Sequence, residues 1–81
     1  VVFVTDDNPR FEDAEDIRNE IIPACPGAYN IADRAKAIKK AMEMLIPGDV
    51  LVLAGKGHET GQYVKGKVLP FSDHEEVLKN L

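Results

Sequence analysis

The chain has 81 residues, 44% hydrophobic and 30% charged, which gives room for one small globular domain or a part of one. Its 10 basic and 14 acidic residues leave a net charge of −4, so no chain-wide basic field invites nucleic acid, and no apolar run approaches a membrane span. The single cysteine, Cys25, excludes an internal disulfide framework and agrees with a reducing cytoplasm.

The predicted elements alternate between strands and helices. Val1-Val2-Phe3-Val4-Thr5 lacks polar alternation, the pattern of a strand buried on both faces of a parallel sheet. It starts with no methionine and no lead-in, which we read as excision from a longer protein, since a few short strands make a thin sheet for an independent α/β domain. Asp7-Asn8-Pro9-Arg10 follows as a loop at the carboxyl end of that strand, the edge at which open α/β sheets place their ligands. Arg10 offers a planar fork of donors matched to a carboxylate or phosphate, and Pro9 fixes one backbone dihedral just before it.

Glu12-Asp13 opens a helix with Ala14, Ile17 and Ile21 on one face; Asp13, Glu15 and Asp16 occupy the turn where its dipole favours negative charge. Pro23 and Pro26-Gly27 end it, and Ala28–Ile31 reads as a short strand. Asp33 is the expected N-cap of a second helix reaching Leu45, with Ala35, Ile38, Met42 and Leu45 as its apolar stripe and Lys36, Lys39, Lys40 and Glu43 facing water. Pro47-Gly48 stops that helix. Val50–Ala54 is a second wholly apolar strand, followed at once by Gly55-Lys56-Gly57-His58-Glu59. Gln62–Val64 and Val68-Leu69 flank a glycine turn as a hairpin, and Ser72 with Glu75 forms a capping box at the start of a last helix.

The fold class expected is therefore α/β, with parallel strands joined by crossover helices and a terminal β-hairpin and helix. If Val1–Thr5 and Val50–Ala54 lie in one parallel sheet, the loops after them share one edge and face one crevice. There Asn8 and Arg10 supply donors for a carboxylate, Glu59 supplies the opposite sign for an ammonium group, and Gly55 and Gly57 let backbone approach a ligand closely. This charge pair suits a zwitterionic amino-acid head. A polyphosphate suits it less, because Glu59 repels it and the pattern G-x-x-x-x-G-K-[ST] is absent.

Plainer roles compete for several of these residues. Arg10 could pair with Glu12 or Asp13 at the helix start, worth only about 0–1 kcal/mol; its place at a strand end tells against that. His58 has no spaced partner besides the distant His74, so no metal site is expected, and its expected work is to shape the loop through hydrogen bonds. Lys56 has two readings, a draw for phosphate and a flexible, solvated side chain. Nothing near Cys25 activates it as a nucleophile, Asp33-Arg34 is read as a helix cap without a ligand, and Met42 is placed in the core.

T-D-D-N-P-R-x-E-D (Thr5 to Asp13), D-R-A-x-A-I (Asp33 to Ile38), G-D-V-L-V-L-A-G-K-G-H-E-T-G-Q (Gly48 to Gln62) and F-S-D (Phe71 to Asp73) together resemble the C-terminal domain of the Mur ligases. Within that family the chain is most similar to the members that add meso-diaminopimelate. The resemblance covers residues 1–81, and D-N-P-R combined with A-G-K-G-H-E is what makes it specific. It implies the later part of a Rossmann-like Mur ligase C-terminal domain.

It further implies that Asp7, Asn8, Pro9 and Arg10 form the motif that reads the incoming amino acid, with Asn8 and Arg10 on its distal carboxylate. Gly55, through its backbone, and Glu59 would complete the site, with Glu59 near the distal ammonium. Relatives that add L-lysine lack the arginine, because lysine has no second carboxylate. Asp6 stands where many relatives carry serine, outside the motif.

The family reaction joins meso-diaminopimelate to UDP-N-acetylmuramoyl-L-alanyl-D-glutamate in peptidoglycan precursor synthesis, in the cytoplasm, by way of an acyl phosphate formed with ATP and Mg²⁺. On that basis no catalytic residue, nucleotide loop or metal ligand is expected within this chain. ATP, Mg²⁺ and the nucleotide-linked dipeptide would be held by N-terminal and central domains of the same polypeptide, and the chain alone would be inactive. The competing expectation is a stand-alone α/β module that binds a small anion or amino acid without catalysis; an intact gene ending just before Val1 would favour it.

Overall fold

The computed structural model describes residues 1–81, and its elements follow the polar caps and glycine turns of the sequence. In chain order they are β1 (Phe3–Val4), α1 (Ala14–Ile21), a 3₁₀ turn (Ile22–Ala24), β2 (Tyr29–Asn30), α2 (Arg34–Glu43), β3 (Gly61–Val64), β4 (Lys67–Pro70) and α3 (Asp73–Lys79). All three α-helices begin on a side-chain cap. The Asp13 carboxylate accepts from the amides of Glu15 and Asp16, Asp33 from that of Lys36, and Ser72 from that of Glu75. Each cap satisfies amides that the first helical turn leaves without partners.

The architecture is α/β. β1 and β2 pair in parallel, Phe3 opposite Tyr29 and Val4 opposite Asn30, with α1 in the crossover between them. The Phe3 and Tyr29 rings stack at 4.8 Å across that pair. β3 and β4 form an antiparallel hairpin from Gly61↔Pro70 to Val64↔Lys67. Lys65 and Gly66 at its tip both have positive φ (47° and 79°), the twist that a two-residue hairpin loop requires. α3 then returns against α2.

Three expectations change in the structure. The first strand shortens from Val1–Thr5 to Phe3–Val4, because only β2 pairs with it, on one side. Val50–Ala54 forms no strand: the backbone groups of residues 50–53 make no backbone–backbone bonds, and Val50 and Val52 are exposed. The segment and β1 both line an apolar trough of about 380 Å³ together with Ala37, Ile38 and Ala41, and no backbone hydrogen bond joins them. A parallel strand needs a neighbour within hydrogen-bonding distance, and here neither edge of this segment has one.

The stripe of α2 is also rotated from the one expected. Arg34, Ala37, Ile38 and Ala41 are buried, while Ala35 and Met42 are half-buried and Leu45 lies beyond the helix and exposed. Residues 34, 37, 38 and 41 are one continuous i, i+3, i+4, i+7 row. Arg34 turns that row inward by its pairing with α3, which outweighs the larger apolar volumes of Met42 and Leu45. With Val4, the residues Ala37, Ile38 and Ala41 make up the buried apolar core.

Candidate functional site

The loop after β1 is wound tightly by backbone conformation. Asn8 and Arg10 both sit at positive φ (46° and 58°), a region that non-glycine residues enter at a cost of about 1 kcal/mol or more, with the proline-fixed residue between them. The neighbouring hairpin holds them there. The Arg10 amide donates to the Tyr63 carbonyl at 2.8 Å, the Lys65 amide donates to the Arg10 carbonyl, and the Asn8 amide donates to Gln62 Oε1 at 3.2 Å. Arg10 thus bridges to Val64 and covers the open edge of β3.

That docking carries the Arg10 guanidinium over the Tyr63 ring, 4.8 Å from its centroid. A cation stacked on a ring is held in place while its N–H edge stays available. Arg10 makes no salt bridge to Glu12 or Asp13. It lines a cleft of about 460 Å³ together with His58, Glu59, Thr60 and Tyr63. His58 makes no side-chain hydrogen bond, so the loop-shaping role expected of it is replaced by a place on the cleft wall.

Asn8 lies behind this cleft and joins the two loops that the topology was expected to bring together. Its Nδ2 donates to Glu59 Oε1 at 2.8 Å, and its Oδ1 accepts from the Tyr63 amide at 3.0 Å and from Lys56 Nζ at 2.9 Å. Asp7 and Pro9 turn away from the cleft. Asp7 pairs with Lys56 at 3.0 Å, and Pro9 is buried with its carbonyl accepting from the Glu12 amide. Gly55 backs onto Asp7 with φ +110°, where an added Cβ would collide with the Asp7 carboxylate. Of the six candidate residues, Arg10 and Glu59 therefore share the cleft, Asn8 supports it, and Asp7, Pro9 and Gly55 lie outside its lining, with only Pro9 buried.

Gly55→Ala is accordingly expected to lower the denaturation midpoint of the full-length protein, with a loss of about 1–3 kcal/mol. Gly57→Ala is the control, because Gly57 also has positive φ (57°) but open space around its Cβ. Equal losses at the two positions, measured by urea denaturation, would show that the Asp7 contact is unimportant.

Lys56 corrects the reading of a solvated surface lysine. Its side chain is 0% exposed, and its ammonium is surrounded by Asp7, Asn8 and the Gly61 carbonyl at 3.0 Å, with the Phe71 ring at 5.9 Å. A second buried cation, Arg34, went unassigned in the sequence reading. It pairs in bidentate fashion with Asp73 at 2.7 and 2.8 Å and donates to the carbonyls of Asp6 and Ala54, the residues immediately before the two site loops.

The hydrogen bonds that Arg34 donates to Asp73 raise the guanidinium pKa above its already high ordinary value, against the lowering effect of burial. One sequence signal pointed to Arg34: an arginine in the first turn of a helix opposes the macrodipole and needs another reason to be there. Lys56 had a weaker signal, its enclosure between two glycines. Asp6, outside the motif, pairs with Arg18 and offers its carbonyl to Gln62 at 3.2 Å.

Residues 1–57 match the family model described as "Mur ligase, glutamate ligase domain". Over all 81 residues the chain is 60% identical to the UDP-N-acetylmuramoyl-L-alanyl-D-glutamate–2,6-diaminopimelate ligase of Agrobacterium fabrum, covering 17% of it. The ligase of the same name from Caulobacter vibrioides is 54% identical over the same span, again with 17% of it covered. A solved structure of a ligase of that name superposes with a TM-score of 0.83 at 40% identity, over 98% of this chain and 17% of that one. The chain thus spans about a sixth of the length of the curated relatives it matches.

Proposed function

Because the chain belongs to the Mur ligase C-terminal family, we propose that it is the acceptor-recognition part of an ATP-dependent ligase. That ligase adds meso-diaminopimelate to UDP-N-acetylmuramoyl-L-alanyl-D-glutamate in peptidoglycan precursor synthesis. The observation that carries the reading is the pairing of opposite charges on one cleft, Arg10 stacked on Tyr63 and Glu59 tied to Asn8. Arg10 takes a carboxylate on its bidentate edge, Glu59 takes an ammonium, and the second Nδ2 hydrogen of Asn8 is left to donate to the same ligand. Asp7, Asn8, Pro9, Arg10, Gly55 and Glu59 thereby act as one unit, with Arg10 and Glu59 as the two charges that touch substrate.

A zwitterion held at both charges presents its remaining amine in one orientation, which is the contribution that positioning makes to amide formation. The bond-making step belongs to residues elsewhere in the polypeptide. No group of three or more His, Cys, Asp or Glu side chains that could hold a metal exists in this chain, and the sequence has no nucleotide loop, so no step through Mg²⁺ or ATP is assigned to these residues. No helix is long and apolar enough to cross a membrane.

Steady-state kinetics of the full-length protein test the proposal. Activity with meso-diaminopimelate and little or none with L-lysine is expected. Equal use of the two amino acids would remove the role given to Arg10.

A further inference from the structure

Lys56 is the most buried cation of the chain, and the expected substrate contacts leave it unused. Its three ammonium hydrogens meet three acceptors, Asp7 Oδ1 at 3.0 Å, Asn8 Oδ1 at 2.9 Å and the Gly61 carbonyl at 3.0 Å. These belong to the loop after β1 and to the first residue of β3, so one buried group ties together both walls of the site. Burying an ammonium is costly unless it is fully bonded, and here every donor is used.

The consequence falls on Asn8. A side-chain amide has an oxygen end and a nitrogen end, and the two orientations differ by a flip. Lys56 Nζ and the Tyr63 amide can only donate, and both meet the same atom of Asn8. That atom must be the oxygen. The nitrogen end is then forced toward Glu59, at 2.8 Å, and holds that carboxylate at the cleft. Without Lys56, only the Tyr63 amide and the acceptor-only Glu59 carboxylate oppose the flip, and the Asp7 carboxylate beside Asn8 loses its counter-charge.

We propose that Lys56 is a positioning residue for acceptor recognition: it locks the Asn8 amide so that Glu59 is presented to the ammonium of the bound amino acid. This deepens the function proposed above and rests on it. Lys56 itself touches no substrate; it acts through Asn8.

The test is made in the full-length protein with Lys56→Met, which keeps the length of the side chain and removes its charge. KM for meso-diaminopimelate is expected to rise about 10- to 100-fold, while kcat and the KM values for ATP and the nucleotide-linked dipeptide change less than about threefold. Because Lys56→Met leaves Asp7 uncompensated, the double variant Lys56→Met/Asp7→Asn is measured beside it. It is expected to regain thermal stability without regaining the low KM. Recovery of both together, or an unchanged KM in the single variant, would overturn the positioning role.

A crystal structure of the Lys56→Met protein supplies a readout independent of substrate. The Asn8–Glu59 bond should be broken, and its persistence would also overturn the proposal. If the unmutated protein does not use meso-diaminopimelate, the functional reading fails, and the crystallographic result still decides the role of Lys56.

Discussion

Arg10→Ala is expected to lower kcat/KM for meso-diaminopimelate about 10²- to 10³-fold in the full-length protein, the scale for truncating one partner of a bonded charge pair. KM for ATP should stay within about twofold, because the altered group recognises only the acceptor. The physical basis is what Arg10 does not do in this structure. It forms no salt bridge within the chain, and its backbone, rather than its guanidinium, carries its structural bonds to Tyr63 and Lys65. Truncation therefore removes the ligand contact and the stacking on Tyr63 while leaving the loop anchored. Arg10→Lys should recover only a small part of the loss, since an ammonium cannot reproduce a two-pronged contact. Competition assays with a diaminopimelate analogue lacking the distal carboxylate complete the test: the analogue should be insensitive to Arg10→Ala. A variant with unchanged kinetics would show that the carboxylate is read elsewhere.

Asp73→Ala should be the most destabilising single substitution, about 3–5 kcal/mol, because it strands a buried guanidinium without its partner. Arg34 and Asp73 have side-chain exposures of 6% and 7%, and the pair joins α2 to α3. Arg34 also bonds the carbonyls of Asp6 and Ala54, so loosening it releases the residues immediately before both loops of the site. The companion double variant Arg34→Met/Asp73→Leu should cost less than Asp73→Ala alone, since it removes the unpaired charge rather than exposing it. Urea denaturation of the full-length variants measures both. A double variant worse than the single would mean that the carbonyl bonds of Arg34, rather than its charge pair, dominate.

The helix starts were legible in sequence because they depend on local chemistry. Asp33 and Ser72 cap as expected, and Asp13, expected inside the first turn, is the cap one position before it, since a short polar side chain bonds amides two or three residues ahead whatever the rest of the chain does. The Lys65-Gly66 turn was legible for the same reason. The pattern Val50–Ala54 misled, because hydrophobicity reports only a tendency to be buried, while a strand requires a partner backbone beside it. The stripe of α2 misled because volume was counted and charge was not: Arg34 sits on the inward face, paid for by Asp73 from a helix remote in sequence.

For the site, Arg10, Asn8, Gly55 and Glu59 could be named from motif and loop position. Their division into cleft wall and underlying support could not. By itself the sequence determined the caps, the turns, the alternation of elements and the residue types able to bind a zwitterion, all properties of residues within a few positions of each other. Only the tertiary structure decided that Lys56 and Arg34 are buried and bonded, and which end of the Asn8 amide faces Glu59. Those outcomes depend on acceptors contributed by distant segments, and a buried charge is tolerable only where such acceptors converge.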